Sequence, residues 1–282
     1  MSHTNADQAE YWNSDTGQVW IDYEAYLDAV MNGILARLLK HANPEPGHCI
    51  LDVGCGTGAS VLAFADVVGA RGHVTGVDIS PKLLSRARTR TEKAGHMNVT
   101  LLNADAQTEL FASQGFDRIV SRFGVMFFSD PTAAFSNLRK ALKPGGRIAY
   151  ISWAAINKNP WFSIPRDAAI ARLGKPVPTD PMAPGPFAFQ DLNYVSKIMT
   201  DAGFRNVEAT EEHVDLSVTG SARDIAALAM KIGAAVRVMK ELSASREDAA
   251  AIEGAIAEPF IPHQASVGMT VPARINVFSA QP

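Results

Sequence analysis

The residues of this chain best suited to chemistry lie in one short run, Leu51-Asp52-Val53-Gly54-Cys55-Gly56-Thr57-Gly58. Ile50, Leu51 and Val53 form the apolar stretch of a strand covered on both faces, as in a parallel sheet. The glycines behind it let the backbone turn sharply and approach a ligand with no Cβ in the way. A helix opening at about Ala59 aims unpaired N–H groups and a positive dipole end at an anionic group. The run therefore reads as a loop for a small molecule with a carboxylate or phosphate. A bare strand-to-helix turn is the plainer alternative.

The next strand, Val74–Ile79, carries a second acid, Asp78, twenty residues after Gly58. An acid there is placed to accept hydrogen bonds from the two hydroxyls of a ribose. As an alternative it caps the helix that Pro81 opens. A dinucleotide loop has the spacing Gly-x-Gly-x-x-Gly, whereas here the third glycine comes one residue early. Asp52 would also repel a pyrophosphate, while it suits the ammonium group of a methionine. A nicotinamide-dependent oxidoreductase is therefore the second reading, and a non-catalytic cofactor-binding protein the third.

Val99–Ala106 reads as a third strand with Asp105 at its end, Phe116–Ser121 as a fourth, and Leu142–Ile151 as a Pro-Gly-Gly turn and a fifth. Together these motifs, over roughly residues 48 to 152, resemble the class I S-adenosylmethionine-dependent methyltransferases. Tyr11-Trp12, Gln18-Val19-Trp20 and Ser121–Phe128 resemble a bacterial small-molecule branch, similar to the ubiquinone/menaquinone-biosynthesis methyltransferases. The resemblance implies a doubly wound α/β fold, a Rossmann-like sheet of seven mostly parallel strands with the last antiparallel. It implies S-adenosyl-L-methionine as cofactor. Gly54, Cys55 and Gly56 would then run along its methionine part, with Asp52 on the ammonium and Asp78 on the ribose. Ile79 would pack on the adenine, Asp105 and the Ala106 backbone would meet its edge, and the Ser121 carbonyl would lie near the sulfonium. For Asp105 a turn acid is the alternative. The reaction implied is direct in-line methyl transfer to O, N, S or C of a small apolar or aromatic molecule.

The elements that must position these residues divide the chain. Residues 1–45 form an N-terminal helical cap, with Leu27, Val30, Met31, Ile34, Leu35, Leu38 and Leu39 at helical spacing. Tyr11, Trp12, Trp20, Tyr23 and Tyr26 are either a lid over a ligand or a satellite of the core. Residues 46–152 are the binding core, and 153–189 a proline- and aromatic-rich insertion. Prolines so dense there argue against a long helix. Residues 190–282 complete the sheet through a helix at Asp191–Ala202 and strands at Val207–Val218 and Ala273–Ala280, the latter starting after Pro272. A helical insertion at about 221–260, one helix over Ile225–Met239 and another over Glu247–Ala257, would roof the site.

Substrate-pocket candidates are Trp20, Arg122, Phe123, Phe127, Trp153 and Trp161. Arg122 would hold the cofactor carboxylate or an acidic group of the substrate, or else pair with a neighbouring acid. No catalytic base is evident. Among His3, His41, His48, His73, His96, His213 and His263, only His213 and His263 fall where they would reach the pocket, so the catalytic candidates are Arg122, His213 and His263. No His/Cys/Asp cluster has metal-ligand spacing. A net charge of −3 supplies no basic field for nucleic acid, and Arg86, Arg88, Arg90 and Lys93 read as a solvated helix face. No stretch approaches a membrane span or a secretory signal, and two cysteines, Cys49 and Cys55, suit free thiols in the cytoplasm. The oligomeric state stays open, a homodimer included.

Overall fold

The computed structural model describes residues 5–264 and 268–282; His3 lies outside them. Short helices lead in: α1 (Ala6–Asn13), α2 (Asp15–Asp22), α3 (Glu24–Val30) and α4 (Asn32–Ala42). The apolar run from Leu27 to Leu39 is thus two helices that break at Met31. Strands and helices then alternate as β1 (Cys49–Val53), α5 (Ala59–Val68), β2 (His73–Asp78), α6 (Pro81–Ala94), β3 (Val99–Asn103), β4 (Phe116–Arg122), α7 (Pro131–Ala141) and β5 (Leu142–Trp153). Local chemistry sets these boundaries. Ser80 and Asp130 accept N–H bonds as N-caps, and each is followed by a proline at the first helical position, where no N–H partner is needed.

The second half holds α8 (Pro160–Leu173), α9 (Leu192–Asp201), β6 (Arg205–Val218), α10 (Ala222–Ala229), α11 (Ala234–Glu241), α12 (Arg246–Phe260) and β7 (Met269–Gln281). Serine–aspartate capping boxes start α10 and α12. The sheet order is β3-β2-β1-β4-β5-β7-β6. The first five strands pair in parallel, and β7 runs antiparallel to both neighbours. Sequential connections reverse direction between β1 and β4, and open α/β sheets bind ligands at such a switch point, beyond the strands' C-terminal ends.

Three expectations need correction. The insertion does contain a long helix, the 14-residue α8. Pro160 takes its first position, Pro165 removes one ladder donor, and the crowded prolines from Pro176 to Pro186 stand outside it. The helix expected over Ile225–Met239 is split into α10 and α11 ahead of Gly233, whose φ of 104° is open to glycine. Pro272 lies inside β7 rather than before it. There β7 pairs only with β6, because its partnership with β5 begins at Ile275, so one side of the strand needs no donor.

Candidate functional site

A cavity of about 230 Å³, partly open to solvent, lies over the C-terminal ends of β1, β2, β4 and β5. At one end it is lined by Gly54, Cys55, Gly56, Asp78, Ile79, Asp105 and Ala106. At the other end stand Trp20, Arg122, Phe123, Phe127, Trp153 and Trp161. All six substrate-pocket candidates therefore share one cavity with seven of the nine cofactor candidates.

The other two stand behind its wall. Asp52 is fully buried, with one carboxylate oxygen accepting from the Ser60 hydroxyl at 2.5 Å and the other without a partner. Ser60, from the first turn of α5, does line the cavity. Burial pushes the Asp52 carboxyl from 3.8 up to about 7, against the opposing pull of Ser60 and Arg122. Ser121 is a clasp. Its hydroxyl donates to the Val53 carbonyl at 2.7 Å and accepts from the Gly124 and Val125 N–H groups at 3.0 and 3.2 Å. The clasp joins the turns after β1 and β4, where a Cβ on Gly54 would sit 2.6 Å from Gly124 Cα. Between them Phe123 adopts φ 70° and stacks on Trp153 at 4.4 Å. Backbone strain of this kind, of order 1–3 kcal/mol, persists only where surroundings enforce it.

Beside the glycine turn, Asp78 accepts N–H bonds from Gly56 and Ser80, both at 2.8 Å. Burial raises its carboxyl and these bonds oppose the rise. A Cβ on Gly56 would meet nothing within 4 Å, so this turn leaves its inner side open. Burial also pushes the Cys55 thiol well up, which argues against a thiolate nucleophile.

The N-terminal helices close the cavity as a strap. Asn5 donates to Asp105 at 2.8 Å and accepts from the Ser129 N–H at 2.7 Å. Ser80 binds Asn13 at 2.9 Å. Trp12 packs edge-on against Trp20 and Phe127. Of the five N-terminal rings, Tyr11, Trp12 and Trp20 line the cavity; Tyr23 and Tyr26 do not. Ile225, Leu228 and Ala229 of α10 cover it from another side.

Arg122 pairs with Asp28 at 3.3 Å, and its Nη1 is buried without a partner. Asp28 also binds Arg90 at 2.8 Å, and Glu24 holds Arg86. Those two α6 arginines are therefore not a free solvated face: they tie the strap to the core. The histidine candidates fail. His213 is exposed on the outer strand β6, 3.4 Å from Asp215, and His263 packs beside Phe260 away from the cavity. No cluster of potential metal ligands occurs among the described residues, and no described helix is long and apolar enough to cross a membrane. Sequence reasoning missed Asn5, Gln8, Thr16 and Ser60. Only Ser60, two residues past the glycine loop, had a local signal.

Comparison with known proteins agrees. Residues 50–146 match the family described as "Methyltransferase domain". Aklanonic acid methyltransferase DauC of Streptomyces sp. (strain C5) is 36% identical over 116 residues, 41% of this chain and 53% of the relative. A demethylmenaquinone methyltransferase of Listeria welshimeri is 32% identical over 126 residues, 45% of this chain and 53% of the relative. The chain thus spans about half the length of these curated relatives. In fold it is similar to Haemonchus contortus phosphoethanolamine N-methyltransferase 2 in complex with S-adenosyl-L-methionine, at TM-score 0.58, 20% identity, and coverage of 99% of this chain and 60% of that one. Residues 50–146 thus match a methyltransferase domain, within a chain whose doubly wound strand order is similar to that of solved methyltransferase structures.

Proposed function

We propose that this chain transfers the methyl group of S-adenosylmethionine to a small apolar or aromatic molecule. One observation carries the reading: the glycine turn, Asp78 and Asp105 line the same cavity as the aromatic rings. The residues present fit the cofactor, since the inner side of the Gly56 turn is open and Asp78 stands at its lip. Asp78 would hold the ribose, Asp105 and the Ala106 backbone the adenine, and Ile79 its face. The first-turn N–H groups of α5 suit the carboxylate. Asp52 would serve the ammonium, with the cavity-facing Ser60 hydroxyl as the point of contact.

The cofactor supplies a methyl group already activated on a sulfonium. The protein's part is to position and to exclude water. Alignment of reactants contributes roughly 7–11 kcal/mol, and the rings of Trp12, Trp20, Phe123 and Trp153 keep out water that would weaken electrostatic contacts. The substrates in the names of the two curated relatives support a small-molecule acceptor. The free thiols Cys49 and Cys55 support a cytoplasmic location.

Titration calorimetry with S-adenosylmethionine and, separately, NADH tests the reading. Saturable binding of the first alone is expected; binding of NADH alone would turn the reading toward an oxidoreductase. Methyl release from labelled cofactor across a metabolite panel separates an enzyme from a cofactor-binding protein.

A further inference from the structure

Arg122 lines the cavity and carries an unmet demand. Its side chain is 11% exposed, one nitrogen pairs with Asp28, and Nη1 is buried without an acceptor. Around it the carboxylates of Glu24 and Asp28 face three guanidiniums, those of Arg86, Arg90 and Arg122. One positive charge is left over. Asp52 also faces Arg122; burial favours its neutral form, and Arg122 opposes that. A guanidinium nitrogen left dry and unpaired favours an incoming anion.

The same chamber offers little for removing a proton. The ionisable side chains that line the cavity, among the described residues, are Tyr11, Cys55, Asp78, Asp105 and Arg122. Tyr11 is 49% exposed at the rim, Cys55 is held as a thiol, and Asp78 and Asp105 are engaged at the nucleoside end. A neutral alcohol would have to shed its proton with no base beside it, and an ammonium would be repelled by Arg122.

The geometry points to an acceptor that is an aromatic or apolar carboxylate, anchored by Arg122 and converted to its methyl ester. This rests on the methyl-transfer reading above. A lone pair of one carboxylate oxygen forms the bond to the methyl carbon as the carbon–sulfur bond breaks and its electron pair stays on sulfur. Anion and sulfonium become neutral ester and neutral thioether, and no proton moves. Loss of both charges inside an apolar chamber favours the step.

The test uses the full chain saturated with S-adenosylhomocysteine and titrated with 2-naphthoate or 2-naphthalenemethanol, an acid and an alcohol of similar shape. The acid is expected to bind at least about tenfold more tightly, the scale of one charge-assisted bond. At saturating S-adenosylhomocysteine, Arg122→Gln should abolish that preference, whereas Arg122→Lys, which keeps the charge, should retain it. Equal affinity of the two probes, binding of neither, or a preference that survives Arg122→Gln overturns the inference. Loss of S-adenosylhomocysteine binding in folded Arg122→Gln also overturns it, assigning the guanidinium to the cofactor carboxylate. A wild-type chain that fails to bind S-adenosylhomocysteine sinks the methyl-transfer reading itself.

Discussion

Affinity for S-adenosylmethionine should rise between about pH 5.5 and 7, and the rise should come from Asp52. Its carboxyl is buried, bonded on one side to Ser60 and orphaned on the other, and burial holds it at about 7. An ammonium group brought near favours the ionised form, so binding must release a proton wherever the free protein is still protonated. With a midpoint near 7, about 3% of the sites are ionised at pH 5.5 and about half at pH 7. Affinity should therefore gain on the order of tenfold, or about 1–2 kcal/mol, over that interval. The ligand's own α-amino group keeps its proton until about 7.7–8.0, above the window. Titration calorimetry in two buffers of different ionisation enthalpy measures both the dissociation constant and the proton released. A flat dissociation constant with buffer-independent heat would refute the reasoning, as would an equal rise in Asp52→Asn.

Asp52 also predicts a stability profile. Its proton is held more tightly in the folded chain, at about 7 against an ordinary 3.8. The stability it confers is thus full below about pH 4 and lost as pH rises through 7, by about 4 kcal/mol in all. Asp52→Asn should flatten this fall, measured by urea unfolding from pH 4 to 8. Gly54→Ala places a Cβ 2.6 Å from Gly124 Cα at a φ of 68°. It should destabilise by about 2–4 kcal/mol, and an unchanged melting temperature would contradict the close approach. Asn5→Ala removes the latch to Asp105 and Ser129. It should cost about 1–3 kcal/mol and expose residues 5–31 to limited proteolysis; wild-type digestion would show that the strap is held by its rings alone.

The parts legible in the sequence are those in which a few adjacent residues dictate geometry. The glycine run after β1, Asp78 at the tip of β2 and the Pro-Gly-Gly turn before β5 each carry their own turn chemistry. The aromatic chamber was also legible, because Phe123, Phe127, Trp153 and Trp161 follow strand ends at the ligand-binding edge. Contacts between distant segments were not. Asn5 reaches Asp105 a hundred residues away, and no local pattern announces that pairing. Ser121 was expected, on the resemblance, to offer its backbone carbonyl; the clasp made by its hydroxyl had no local signal. His213 does lie in a strand, as expected, but β6 is at the far rim of the sheet, and only the inserted antiparallel β7 reveals how far.

The stretch that matches the methyltransferase domain, residues 50–146, lines the cavity with the glycine turn, Asp78 and Asp105 and also with Arg122, Phe123 and Phe127. The rest of the lining comes from outside it: Tyr11 to Trp20, Trp161 to Pro186 and Ile225 to Ala234. These outer segments can therefore diverge, and reshape the cavity, without disturbing the cofactor seat. Exchanging residues 5–31 or 222–241 between two such proteins would be a direct way to move one enzyme's taste onto another's engine.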